Sequence, residues 1–223
     1  MSARVPMSLI AGAFHAFVMD PGFSCLGAKG AVRQQRHSLA VYGALGGARS
    51  VVPLARDLAD YASGVPEAIE HPTTFVAVFA GRAPATERAF ERALWRLLQR
   101  LHEHESPDAG WDPTASADPD DPHFSFSFAG RAFFIVGMHP HSSRLARRFA
   151  WPALVFNPRA QFDRLRETGR YERLKARVRE REIALQGSLN PSLGEFGERS
   201  EARQYSGRAT EDDWHCPFHP TRA

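Results

Sequence analysis

Two short runs of bulky apolar residues, Thr73 to Ala80 and Ala132 to Met138, constrain this chain more than any other feature. Both are rich in β-branched and aromatic side chains and too short for an ordinary helix, so each reads as a buried strand. His71-Pro72 and Gly81 punctuate the first. The second follows His123 to Phe128, where polar and apolar residues alternate, across Ala129-Gly130-Arg131. Alternation on both sides of a glycine turn predicts a β-hairpin. Between the two runs lies Thr86 to His104, where Phe90, Leu94, Leu97, Leu98 and Leu101 recur at helical spacing with arginines and glutamates elsewhere. Helical and strand periods that alternate along one chain predict helices packed on a sheet.

The remaining segments extend that pattern. Met7 to Met19 reads as a helix with Ile10, Phe14, Phe17 and Val18 on one face, stopped by Asp20-Pro21-Gly22. Ser38 to Tyr42 and Pro152 to Asn157 read as strands, Pro53 to Tyr61 as a helix stopped by Gly64, and Ser142 to Phe149 as a helical turn. Ser106 to Pro122, with four prolines and five aspartates, reads as an exposed loop. Arg159 to Leu185 reads as one long helix whose nine basic and five acidic residues form a solvated face. Periodicity ends at Gln186, yet Phe196, Tyr205, Trp214 and Phe218 remain as anchors, which predicts an ordered loop packed on the core. The expected fold is α/β of the mixed (α+β) kind: a single domain over 1–223, with a mixed β-sheet and its β-hairpin packed against several helices, and a long ordered C-terminal loop.

Composition excludes several functional classes. The 223 residues are 43% apolar and 24% charged, so the chain is not disordered. Two cysteines, Cys25 and Cys216, make no disulfide framework and no CxxC zinc knuckle. No apolar run approaches the ~18 residues of a membrane span. Of the 28 basic residues only Lys29 and Lys175 are lysines, and no basic block is interleaved with aromatics, so no nucleic-acid partner is expected. Arg4 followed by Val5 to Phe14 imitates a signal peptide, but His15 and Asp20-Pro21 interrupt it, and the cytoplasm is the expected location. Nucleophile-elbow, Walker, GxGxxG and HExxH patterns are all missing.

Chemistry is left to polar clusters at element ends. Phe23 to Lys29 presents Cys25, which suits a nucleophile, a metal ligand or a small buried apolar residue. The strand ending at Met138 delivers His139 at its tip, followed by His141, Arg144, Arg147 and Arg148. An imidazole there suits an iron or zinc ligand, a general base or a histidine in a surface turn. Gln186 to Pro191 and Ser200 to Arg208 are dense in donors and acceptors, which suits either a binding loop for a polar small molecule or a capping network. Trp214 to His219 forms a last cluster.

In this order the clusters resemble the YqcI/YcgG family. The resemblance rests on FxC…AK at Phe23 to Lys29, HPxxSRxxRRF at His139 to Phe149 and VFNPxxQFxxLR at Val155 to Arg166. It continues in LQGSxNP at Leu185 to Pro191, SEARQYSGR at Ser200 to Arg208 and WxCPF at Trp214 to Phe218. Ser24 stands where the family usually carries proline. The resemblance implies, for part of the family, a haem-dependent N-oxygenase acting on guanidino nitrogens of arginine-like small molecules, with haem b, dioxygen and an external electron-transfer partner. Under that implication His139 is the axial ligand, with Cys25 and Cys216 as rivals. Arg144, Arg147 and Arg148 pair with the haem propionates. Glu201 takes the guanidinium, Tyr205 and Asn190 orient it, and Arg203 or Arg208 takes a substrate carboxylate. A non-catalytic haem or small-molecule binder, and a cofactor-free enzyme with Cys25 as nucleophile, are the competing readings.

Overall fold

The computed structural model describes residues 5–66, 69–106, 109–195 and 197–221. Thirteen elements follow one another: helix α1 (Met7–Met19), α2 (Leu26–Arg33), strand β1 (His37–Tyr42), α3 (Ala48–Gly64), β2 (Thr74–Phe79), α4 (Glu87–His104), β3 (Phe126–Phe128), β4 (Arg131–Met138), a 3-10 turn (Leu145–Arg147), β5 (Ala153–Pro158), α5 (Arg159–Glu167), α6 (Tyr171–Gln186) and α7 (Ala202–Tyr205). The strands form one sheet in the order β1-β2-β5-β4-β3. β1 and β2 are parallel and every other pair is antiparallel, so the sheet is mixed as the sequence predicts.

Strand alternation divides the apolar residues between two cores. Phe75, Ala77, Phe79, Phe133, Ile135, Leu154 and Phe156 pack with Leu54 and Leu58 of α3 and Phe90, Leu94, Leu97, Leu98 and Leu101 of α4. On the other face Val76, Val78, Met138 and Ala153 pack with Ile10, Phe14 and Val18 of α1 and Val32 of α2. Thr86 caps α4 by accepting the Ala89 N–H at 3.1 Å. The hairpin turns at Ala129-Gly130, both left-handed with φ of 52° and 69°, as a two-residue turn of matching twist requires.

Three sequence expectations are revised and one helix is added. The predicted helix from Arg159 to Leu185 is two helices, because Gly169 takes φ of 65° and breaks the ladder between α5 and α6. α3 begins at Ala48, with Pro53 inside it rather than at its start. The strand predicted from His123 is confined to Phe126–Phe128. The Leu26–Arg33 helix was hidden by two glycines in a weakly periodic stretch. The C-terminal segment does fold over the core: Tyr205 and Phe218 are buried, and Trp95 of α4 stacks on Tyr205 at 5.5 Å. Phe196 lies outside the described residues, as does Arg4.

Candidate functional site

The sequence clusters converge on two places joined by β4. At the first, period-two geometry puts His139 on the α4 side of the sheet, in line with Phe133, Ile135 and Gly137. Gly137 is required there, since a Cβ would lie 2.7 Å from both the Phe90 ring and the Tyr205 carbonyl oxygen. With that space open, Phe90 stacks on the His139 ring at 4.2 Å and 21°. The His139 backbone N–H donates to the Arg147 carbonyl at 2.9 Å, which folds the arginine-rich segment back onto the strand end.

The His139 side chain is fully buried, and neither Nδ1 nor Nε2 has a hydrogen-bond partner. Burial, the largest cause, holds its pKa down to about 4; Glu87 opposes the shift, while His141 and Arg147 reinforce it. The imidazole is therefore neutral at neutral pH.

Around it the arginines are already engaged. Arg144 donates through Nε and Nη2 to Glu182 Oε1 at 3.2 and 2.7 Å, and through Nη1 to Ser188 Oγ at 3.2 Å. Arg147 donates to the Tyr205 and Gly137 carbonyls at 3.1 and 3.4 Å. Burial lowers the Arg147 pKa to about 10, with Glu182 and Cys25 opposing. Arg148 donates to the Ser142 carbonyl at 2.8 Å. Glu182 also accepts from Ser24 Oγ at 2.7 Å. Thus FxC…AK and HPxxSRxxRRF meet at one carboxylate, and LQGSxNP joins them through Ser188 on Arg144; sequence reasoning missed Glu182 because it sits unmarked in the charged run of α6.

The two cysteines are less suited to ligation. Cys25 caps α2, its Sγ accepting the Ala28 N–H at 3.5 Å, and burial raises its pKa. Cys216 is buried, and its thiol is pushed up to about 12. Both shifts disfavour a thiolate. No group of three or more His, Cys, Asp or Glu side chains among the described residues is arranged to hold a bare metal ion, so the His139/His141 pair is no metal centre by itself.

The second place centres on Glu201. Its Oε1 accepts from Ser125 Oγ and Tyr205 Oη, each at 2.6 Å. The Tyr205 hydroxyl also meets the Phe126 N–H and the Phe133 carbonyl, both at 3.1 Å. Burial raises the Glu201 pKa to about 7, against the two hydroxyl donors and the charges of Arg159 and Arg166. Glu201 lines a cleft of about 160 Å³ together with Phe134, Phe162, Arg159, Arg166 and Arg199.

The other proposed substrate contacts are built into the C-terminal fold. Asn190 donates to the Gly207 carbonyl at 2.9 Å. Arg203 donates to the Glu211, Asp212 and Trp214 carbonyls. Arg208 binds Glu91 at 2.8 Å in a buried pair and Glu211 at 2.8 Å. The structure therefore joins Glu201 with Tyr205, and His139 with the arginines, while Asn190, Arg203 and Arg208 act as a capping network. Neither this cleft nor a second one of about 280 Å³ beside His71 and Arg170 is lined by His139, Cys25 or Cys216.

A family model described as the YqcI/YcgG family matches residues 14–219, and the chain belongs to that family. It is 33% identical over 136 residues to YcgG of Bacillus subtilis (strain 168), covering 58% of this chain and 53% of that one. It is 30% identical over 135 residues to YqcI of the same organism, covering 58% and 52%. Both relatives are described as uncharacterized, and the chain spans about half the length of each. No solved structure matches. Among the described residues no helix is long and apolar enough to cross a membrane.

Proposed function

We propose that this YqcI/YcgG-family protein is a haem-dependent monooxygenase that hydroxylates a guanidino or amino nitrogen of an arginine-like small molecule, in which His139 would hold the haem iron. One observation carries the choice of ligand: a fully buried, uncharged imidazole with both nitrogens unpartnered. A buried ring left in that state calls for an explanation, and a neutral imidazole nitrogen is a ready iron donor. The donor atoms thus fit haem. The packing around them is closed, since Phe90 covers the ring and the ring lines neither cleft, so a macrocycle reaches His139 only if Phe90 or the 142–149 segment moves.

Haem, when bound, supplies the oxygen chemistry, drawing on dioxygen and an external electron donor. The chain's own residues orient and shield. Phe90 fixes the plane of the imidazole, and the Arg147 carbonyl anchors its backbone. Arg147 sets a half-buried positive charge beside it, while Arg144, held by Glu182, pins the segment that carries both. Haem b, the electron-transfer partner, the substrate class and a cytoplasmic location belong to the same proposal. The first three rest on the family resemblance alone, and two free cysteines suit a reducing compartment.

Protein produced with ample haem should be red, and with reductant and oxygen should convert an arginine analogue to an N-hydroxylated product by mass spectrometry. A colourless preparation that consumes no oxygen would overturn the reading. A second reading, a haem or small-molecule carrier without turnover, is favoured by the separation of His139 from the Glu201 cleft. A red protein that leaves arginine analogues unchanged would establish it instead.

A further inference from the structure

We infer that α6 is a hinged clasp: it holds the 142–146 segment shut over His139, and its release from Arg144 is what admits a ligand to the imidazole. This rests on the reading of His139 as a ligand site and adds how that site is gated. Of the two covers on the ring, Phe90 is the fixed one. It is fully buried in α4 beside Leu94, Leu97, Leu98 and Leu101, so displacing it disrupts a close-packed core. The 142–146 segment is the movable cover. Ser143 and Leu145 are exposed, and the 3-10 turn Leu145–Arg147 buries no residue.

The fastening comes from the last turns of α6. Glu182 Oε1 accepts from Arg144 Nη2 at 2.7 Å, which seats the one buried guanidinium of the segment. Gln186 Oε1 accepts the Leu145 N–H at 2.8 Å, and Gln186 Nε2 donates to the Ser143 carbonyl at 3.0 Å. Across the segment, the Ser143 N–H and Oγ donate to Glu87 of α4 at 2.8 and 2.7 Å, exposed bonds that opening exchanges for water. Arg147 stays as the pivot, held by the Tyr205 carbonyl at 3.1 Å.

α6 is built to let go. None of its sixteen residues is buried, whereas every other α-helix buries at least one. Its remaining ties are polar and at least partly exposed. Ser24 Oγ donates to Glu182 Oε2 at 2.7 Å, Arg181 donates to the Phe23 carbonyl at 2.9 Å, and Glu195 pairs with Lys175 at 2.6 Å and Arg179 at 2.8 Å. Water replaces such bonds at little cost, and no apolar face has to leave the core. Each end of the helix carries a left-handed glycine, Gly169 at φ of 65° and Gly187 at 79°. Glycine moves between backbone regions without a Cβ penalty, which makes these two points the hinges.

The test is diethyl pyrocarbonate modification of the full chain at neutral pH, with peptide mass spectrometry reading buried His139 against exposed His141. Hydrogen exchange of Thr74–Phe79 reports global opening. In wild type His139 should react far more slowly than His141. Glu182→Gln should raise the ratio of His139 to His141 modification about tenfold, the size expected for losing a charge-assisted bond. Gln186→Ala, which gives up only exposed bonds, should raise it about threefold. Exchange in Thr74–Phe79 should be unchanged in both. Equal reactivity of the two histidines in wild type, a ratio unmoved by either variant, or a rise in Gln186→Ala matched by faster exchange in Thr74–Phe79 would each overturn the clasp. Should Glu182→Gln fail to fold, Gln186→Ala alone decides. None of these readouts uses haem: a chain that refuses haem can still show the clasp, and a haem-binding chain whose ratio ignores both variants loses the clasp alone.

Discussion

At the end of β4 the His139 ring is sealed beneath Phe90 and a belt of engaged arginines, while nearer the start of the same strand Phe134 opens onto a cleft walled by Glu201. Burial perturbs both titratable groups, keeping His139 neutral and Glu201 partly protonated at neutral pH. Their hydrogen bonding differs. Glu201 has two hydroxyl donors and His139 has none on its ring, so the cleft is satisfied in its present form and the sealed end is not. Tyr205 touches both regions, its hydroxyl on Glu201 and its carbonyl on Arg147. An enclosed polar group without partners marks a place that something else completes, whereas an open one with partners marks a place already able to receive a ligand.

The sharpest way to break this contrast is to unseal the closed side. Glu91 and Arg208 form a buried pair that ties the C-terminal segment to α4. Glu91→Ala leaves Arg208 with only the part-exposed Glu211 as its charge partner and should cost about 3 kcal/mol in a denaturant melt, the low end for a broken buried pair. Cutting the bridge between the regions should cost less. Tyr205→Phe strips partners from the Phe126 N–H, the Phe133 carbonyl and Glu201, and should cost about 1–3 kcal/mol while raising the Glu201 pKa further.

The open side should announce itself in pH. Because the Glu201 pKa is raised from 4.5 to about 7, the folded chain keeps a proton between those values that the unfolded chain releases. Its contribution to stability is therefore complete below about pH 4.5, declines as pH rises to about 7, and is flat beyond. The decline should be on the order of 1–3 kcal/mol, and the difference in melting curves between wild type and Glu201→Gln should isolate it. At the sealed end, His139→Leu removes two unsatisfied nitrogens, so the ligand-free protein should be unchanged or stabilised by about 1–2 kcal/mol. A loss of several kcal/mol would mean that the ring is a structural core residue. Arg199→Ala should be the mildest, within about 0.5 kcal/mol in a thermal melt.

Much of this arrangement is legible in the chain. The stripe of Phe90 to Leu101, the β-branched run of Thr74–Phe79 and the Ala129-Gly130 turn each carry a local period or backbone preference that the sheet only confirms. His139 at the tip of β4 and the pairing of Glu201 with Tyr205 four residues on are likewise visible as a strand end and a short spacing. What was hidden depends on long-range meetings. Glu182 gathers Ser24 and Arg144 from 158 and 38 residues away, and nothing in α6 distinguishes it from its solvated neighbours. Arg203 and Arg208 looked available for a substrate, yet each is spent on backbone carbonyls or on Glu91, partners that appear only when the C-terminal segment docks on α4. The break between α5 and α6 rests on one residue, Gly169, whose left-handed backbone no hydrophobic period records.

The account turns on whether the unpartnered imidazole at the end of β4 is an iron ligand. Absorbance titration of the purified chain with haem, alongside His139→Leu and Cys25→Ala, tests that directly. A saturable spectral change of one haem per chain in wild type and Cys25→Ala, lost in His139→Leu, is the predicted result. A change that survives His139→Leu, or none in any of the three, would contradict it.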